Sequence, residues 1–169
     1  MQPPPDRPVR IAVIGERETS ATLAEAAEAI GREIARRGGI LICGGMGGVM
    51  EAASRGAAGG GGIVVGILPT LTAEEGNRYV TIPLATGMHE GRNVLVVRAA
   101  EAVIAIGGAY GTLSEIGHAL NMGLPVIGYE TWTFRRPGRD ADPIRRAETP
   151  LQAVEWAWAA AVERRQRRT

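Results

Sequence analysis

The chain contains no lysine: all 19 of its basic residues are arginine. That absence removes a lysine Schiff base to pyridoxal phosphate or to a carbonyl substrate, the lysine of a GxxxxGK[ST] phosphate loop, and a lysine general base. A pyridoxal-dependent decarboxylase is excluded on residue inventory alone. Aspartate is scarce too. Asp6 stands in a proline-flanked N-terminal stretch, and Asp140 and Asp142 stand in a segment rich in turn residues, so buried acid chemistry falls to glutamate. The single Cys43 cannot close an internal disulfide, and no charged segment followed by an apolar stretch opens the chain, so export is not expected. No apolar run reaches the roughly 18 residues of a membrane-spanning helix. The expectation is a cytoplasmic protein that binds neither membrane nor, with a net charge of +1, nucleic acid. Arg164, Arg165, Arg167 and Arg168 at the C-terminus are expected to form a solvated helix end.

The 169 residues fit one domain with one core. Residues 1–8 hold four of the ten prolines and no apolar pattern, which predicts a disordered tail ahead of a single domain over 9–169. Short apolar runs at Val9–Ile14, Ile40–Cys43, Ile63–Ile67, Ala102–Ile106 and Pro125–Tyr129 are continuous in Val and Ile rather than alternating, the mark of strands covered on both faces. Between them lie helical patterns. Leu23, Ala27, Ile30 and Ile34 share one face, Thr22 and Glu25 have capping-box spacing, and Arg36, Arg37, Gly38 and Gly39 close the helix. A second helix is predicted over Gly47–Ala58, a short helical turn and a small strand at Tyr79–Ile82 between Pro69 and Pro83, and a buried helix over His89–Arg98. The last helix starts with Thr149 as cap, Pro150 at its first position and Gln152 as capping partner. Residues 131–148 form a long polar connection, either a lid or simply mobile. Strand and helix alternating in this way specify an α/β fold: a Rossmann-like, doubly wound, mainly parallel sheet with helices on both faces. Ligands in such sheets bind beyond the carboxyl ends of the strands.

Two glycine-rich turns run from a strand into a helix there: Gly44, Gly45, Met46, Gly47, Gly48 and Gly107, Gly108, Ala109, Tyr110, Gly111, Thr112. Such turns aim backbone N–H groups and a positive helix end at an anion, so a phosphorylated ligand held between them is expected; the alternative is glycine for tight turns and packing alone. Neither turn is a dinucleotide fingerprint, which disfavours a nicotinamide dehydrogenase. Glu115 sits one turn into the helix after the second loop, as a carboxylate facing the cleft or only as the capping-box partner of Thr112. Arg92 opens the predicted buried helix and needs a partner, a phosphate or else Glu90 or Glu101. Gly15, Met88 and His89 complete the expected nucleotide contacts, although a lone histidine is more often a packing residue. His118 is expected to be structural and Cys43 a small hydrophobe. One cysteine, two distant histidines and no core aspartate give no metal spacing, and Ser20, Ser54 and Ser114 lack a nucleophile-elbow context.

From Val9 to about Tyr129 the chain resembles the LONELY GUY phosphoribohydrolases and, more closely in length and glycine pattern, the related molybdenum-cofactor carrier proteins. The resemblance rests on the Gly44–Met50 loop, the Gly66, Ile67, Leu68, Pro69 turn, the Gly87–Asn93 segment and Gly108–Glu115. Against the PGGxGTxxE motif of the phosphoribohydrolases, Gly107 stands for the proline, Gly108 and Ala109 for the two glycines, Gly111 and Thr112 for the GT pair, and Glu115 for the catalytic glutamate. Arg92 stands for the catalytic arginine and Asn93 for the lysine that follows it. The resemblance implies hydrolysis of the N-glycosidic bond of a nucleoside 5′-monophosphate with no required cofactor, or, as the alternative, non-catalytic carriage of a molybdopterin-type ligand or nucleotide sensing. It also implies a homodimer, for which Val94–Val97, Trp156 and Trp158 supply candidate apolar surface.

Overall fold

The computed structural model describes residues 7–139 and 141–167, so most of the expected tail, Asp140 and Arg168 lie outside the described residues. Seven strands form one sheet: β1 (Arg10–Gly15), β2 (Ile40–Cys43), β3 (Ile63–Leu68), β4 (Ile82–Ala85), β5 (Ala102–Ile106), β6 (Val126–Tyr129) and β7 (Arg145–Arg146). Their order is β4-β3-β2-β1-β5-β6-β7, and every neighbouring pair is parallel. The chain winds outward from β1 to one edge, returns, and winds from β5 to the other edge. The strand order therefore reverses between β1 and β5, where a cleft opens beyond the strand ends.

The continuous Val and Ile runs have the expected cause. Ile11 and Val13 enter one apolar cluster and Ala12 and Ile14 another, one on each face of the sheet. The first is covered by α1 (Ala21–Arg36), α2 (Val49–Gly59) and α5 (Pro150–Gln166), the second by α3 (Asn93–Arg98) and α4 (Tyr110–Asn121). Helices α1 and α2 cross so closely that a Cβ on Gly31 would lie 2.0 Å from the Ala53 carbonyl oxygen, and one on Gly56 1.9 Å from that of Glu28.

Several local expectations are corrected. Helix α1 is capped by Ser20, whose hydroxyl accepts from the Leu23 N–H at 3.2 Å; Thr22 lies inside the first turn, so no Thr22–Glu25 box forms. The strand expected at Tyr79–Ile82 forms instead at Ile82–Ala85, because Asn77 folds the preceding residues into a turn, accepting from the N–H groups of Tyr79 and Val80. The helix expected over His89–Arg98 is split into a 3-10 turn, His89–Arg92, followed by α3. Segment 131–148 contributes β7, and its Arg146 holds the Asp142 carboxylate and the carbonyls of Thr131 and Trp132.

The C-terminal arginines are not simply solvated. Arg165 donates to both carboxylate oxygens of Glu101, at 2.6 and 2.7 Å, and to the carbonyls of Arg7 and Pro8, fastening α5 to the start of β1. Trp158 packs on the first cluster with Arg37 over its ring, and Trp156 lies 3.5 Å from the Arg145 guanidinium. Both tryptophans are therefore partly covered by their own chain. Of the exposed large apolar side chains, Ile63, Ile82, Leu84 and Leu71, the last 85% exposed, lie on β3, β4 and the loop between them, while Met88, Tyr110, Leu151 and Val162 lie elsewhere. No described helix is long and apolar enough to cross a membrane.

Candidate functional site

The cleft encloses about 300 Å³ and is walled by the β1–α1 loop, Met50, Pro69, the His89–Asn93 turn and the first turns of α4. Parallel strands and right-handed crossovers bring these segments to one edge of the sheet, and the switch at β1 and β5 parts them.

Arg92 and Glu115 face each other across the cleft floor. Each is only 5% exposed, and Arg92 Nη1 stands 3.6 Å from Glu115 Oε1. This is neither the Glu90 nor the Glu101 pairing left open for Arg92. Its Nη2 donates to the Gly44 carbonyl at 3.3 Å, Nη1 donates to the Asn93 amide oxygen, and Nε is buried without a partner. Asn93, where the resemblance to the phosphoribohydrolases expects lysine, thus holds the guanidinium in place. The ion pair of Glu115 is with Arg92. Burial pushes its carboxyl up to about 7, an effect the Arg92 charge moderates, while burial pulls the Arg92 guanidinium down. Two charges withdrawn from water and so incompletely bonded contribute little to stability. A carboxyl poised near neutrality beside a fixed cation is the kind of group that functional sites contain. The capping alternative for Glu115 is ruled out: α4 begins at Tyr110 with Ala109 as cap, which places Thr112 inside the helix.

The two glycine loops, alike in sequence, differ in structure. Ala109 supplies no side-chain cap, and α-helical geometry leaves the first N–H groups of α4 without intrahelical partners at the turn where Gly111 and Thr112 line the cleft. The first loop is filled by protein. A Cβ on Gly44 would lie 2.5 Å from Arg92 Nη2 and one on Gly45 2.2 Å from the Leu68 side chain. Gly48, at φ +63°, passes under the β1–α1 loop, where a Cβ would lie 2.2 Å from the Glu16 carbonyl oxygen. The Val49 N–H donates to that same oxygen at 3.0 Å.

Of the expected contacts, Gly15, His89, Ala109, Gly111 and Thr112 border the cleft with Arg92 and Glu115. His89 does so at φ +47°, a backbone conformation uncommon outside glycine. Gly44 lies behind Arg92. Gly45, Met46, Gly47 and Gly48 are not on the cleft wall, and Asn77 clamps them by bonding to the carbonyls of Gly45 and Met46. Met88 and Tyr110 are exposed, Tyr110 at 80%. The Gly108 N–H donates to Glu16 Oε2 at 3.1 Å. Glu16 and Arg17, both on the cleft wall, were missed by motif reading; their only sequence signal is that they directly follow the strand at the switch point. Cys43 is buried with its thiol pushed up by burial, and it accepts from the Gly45 N–H at 3.3 Å. Among the described residues no group of three or more His, Cys, Asp or Glu is placed to hold a metal ion.

Two relatives, two solved structures and one family model place the chain among known proteins. An uncharacterized protein of Archaeoglobus fulgidus is 39% identical over 155 residues, 92% of this chain and 98% of its own. The cytokinin riboside 5′-monophosphate phosphoribohydrolase LOG of rice is 37% identical over 100 residues, 57% of this chain and 41% of its own. Two solved structures superpose with a TM-score of 0.82: the molybdenum cofactor binding protein of Rippkaea orientalis, 30% identical over 91% of this chain and 98% of its own, and the molybdenum cofactor carrier protein of Chlamydomonas reinhardtii, 28% identical over 92% and 99%. Residues 8–154 match the model of the SLOG cluster4 family, a span that runs from just before β1 into α5 and takes in every wall of the cleft; the chain belongs to that family.

Proposed function

We propose that this protein hydrolyses the N-glycosidic bond of a nucleoside 5′-monophosphate, giving free base and ribose 5-phosphate. The observation that carries the reading is the buried Arg92–Glu115 pair facing the uncapped first turn of α4 in one cleft. Cleavage of a sugar C–N bond passes through an oxocarbenium-like state, and the Glu115 carboxylate stabilises that charge and orients the attacking water. Arg92, fixed by Asn93 and Gly44, positions the substrate, and the N–H groups of Tyr110, Gly111 and Thr112 hold the 5′-phosphate. The chemistry needs no cofactor. Likeness to the rice enzyme supports the reading.

Chromatography of AMP incubated with the protein tests it. Adenine release is expected, reduced about 10²–10³-fold in Glu115→Gln. The ionised carboxylate is the working form, so the rate rises with pH through about 7. Release by Glu115→Gln and Arg92→Ala as fast as by the parent contradicts the assignment. Likeness to the cofactor binding and carrier proteins favours a second reading, in which the cleft carries a molybdopterin-type ligand without turnover. A bound pterin in the purified protein, with no base released, supports it. Under either reading the protein is cytoplasmic and pairs through the exposed β4 edge; a monomer mass by light scattering contradicts the pairing.

A further inference from the structure

The β1–α1 loop places a carboxylate beside the anion-binding end of α4. Glu16 Oε2 accepts from the Gly108 N–H at 3.1 Å, and a Cβ on Gly107 would lie 3.3 Å from Glu16 Oε1. Gly108 immediately precedes Ala109, so Glu16 occupies the donor that extends the open turn outward. The cleft holds a second, independent feature: Arg92, 5% exposed on its wall, has a buried Nε with no partner among the described residues. An anion seated on the Gly111 and Thr112 N–H groups is thus attracted by the helix end and Arg92 and bounded on its outer side by a fixed negative charge.

We propose that Glu16 is a specificity-determining residue that admits a single phosphate at the α4 N-terminus and rejects a diphosphate or triphosphate chain. A second phosphate has to displace Glu16 from Gly108 or lie against it. The proposal rests on the phosphate-binding reading above but not on turnover.

Calorimetric titration in EDTA with orthophosphate, pyrophosphate, AMP, ADP and ATP tests it. The parent is expected to bind AMP over ADP and ATP, and orthophosphate over pyrophosphate, by about tenfold, the size of one charge-assisted contact. Glu16→Gln keeps an oxygen for Gly108 and removes the charge, and is expected to narrow both gaps to within about twofold by gaining affinity for the longer chains. Glu16→Ser, which frees the Gly108 N–H, is expected to move the same way, so a folding defect in one variant leaves the other to decide. Unchanged gaps, or equal gains for every ligand, overturn the proposal while leaving the phosphate site standing. A parent that binds neither AMP nor orthophosphate overturns the phosphate reading itself, and the proposal with it.

Discussion

Loops Gly44–Gly48 and Gly107–Gly111 read as equivalent cradles, each a glycine-rich turn from a buried strand into a helix. In the folded chain one is packed with protein and the other faces a cleft. The first surrounds backbone and side chains of its own molecule: the Glu16 carbonyl over Gly48, Leu68 against Gly45 and the Arg92 guanidinium against Gly44. The second leads into a helix whose first turns line the cleft. Neither α2 nor α4 has a side-chain cap, whereas Ser20 and Thr149 close α1 and α5 with their hydroxyls. A glycine-rich turn thus serves close packing at one site and borders a cleft at the other, and what separates the two uses is the protein that fills the first, where the Glu16 carbonyl takes the Val49 N–H.

The largest effect expected from this contrast is on stability. Gly48→Ala forces a side chain into a positive-φ position against backbone and should lower unfolding free energy by roughly 3 kcal/mol or more by urea denaturation. In the second loop Gly111→Ala meets nothing nearer than Asn93 Nδ2 at 3.9 Å and should leave stability within about 1 kcal/mol. Equal losses would erase the distinction.

Next in size is the cost of burying Glu115. Its folded pKa of about 7 exceeds the ordinary 4.5, so between these values the folded state binds more protons than the unfolded one, and stability falls as pH rises. Glu115→Gln removes that dependence. Its stability relative to the parent should be roughly 2–3 kcal/mol greater at pH 8 than at pH 4.5, measured by denaturant melts at both. A pH-independent difference would mean that the carboxyl is not held neutral by burial.

The smallest effect is the most discriminating. Ala109→Ser supplies α4 with the cap it lacks and should raise stability by about 1 kcal/mol, while its hydroxyl takes the N–H groups assigned to phosphate and weakens AMP binding. A stabilised protein with undiminished affinity would show that the phosphate lies elsewhere.

Most of the fold was legible because buried parallel strands must be continuous in Val and Ile and their helices amphipathic. Strand β7 was not, since the two residues Arg145–Arg146, parallel to β6, carry no apolar strand pattern. Strand β4 slipped by three residues because the turn at Asn77 depends on side-chain bonds rather than on apolar spacing. Arg92 and Glu115 were legible as motif residues. That they face each other was not, because only the strand order brings α3 beside α4. Glu16 left no motif trace, since its partner Gly108 is 92 residues away.

Backbone amide shifts of the uniformly ¹⁵N-labelled protein, followed during titration with AMP, test the central distinction most directly. The N–H signals of Gly111 and Thr112 are predicted to move first and furthest, and those of Gly45, Gly47 and Gly48 to stay near their starting positions. Movement centred on Gly45–Gly48, with Gly111 and Thr112 unmoved, would contradict it.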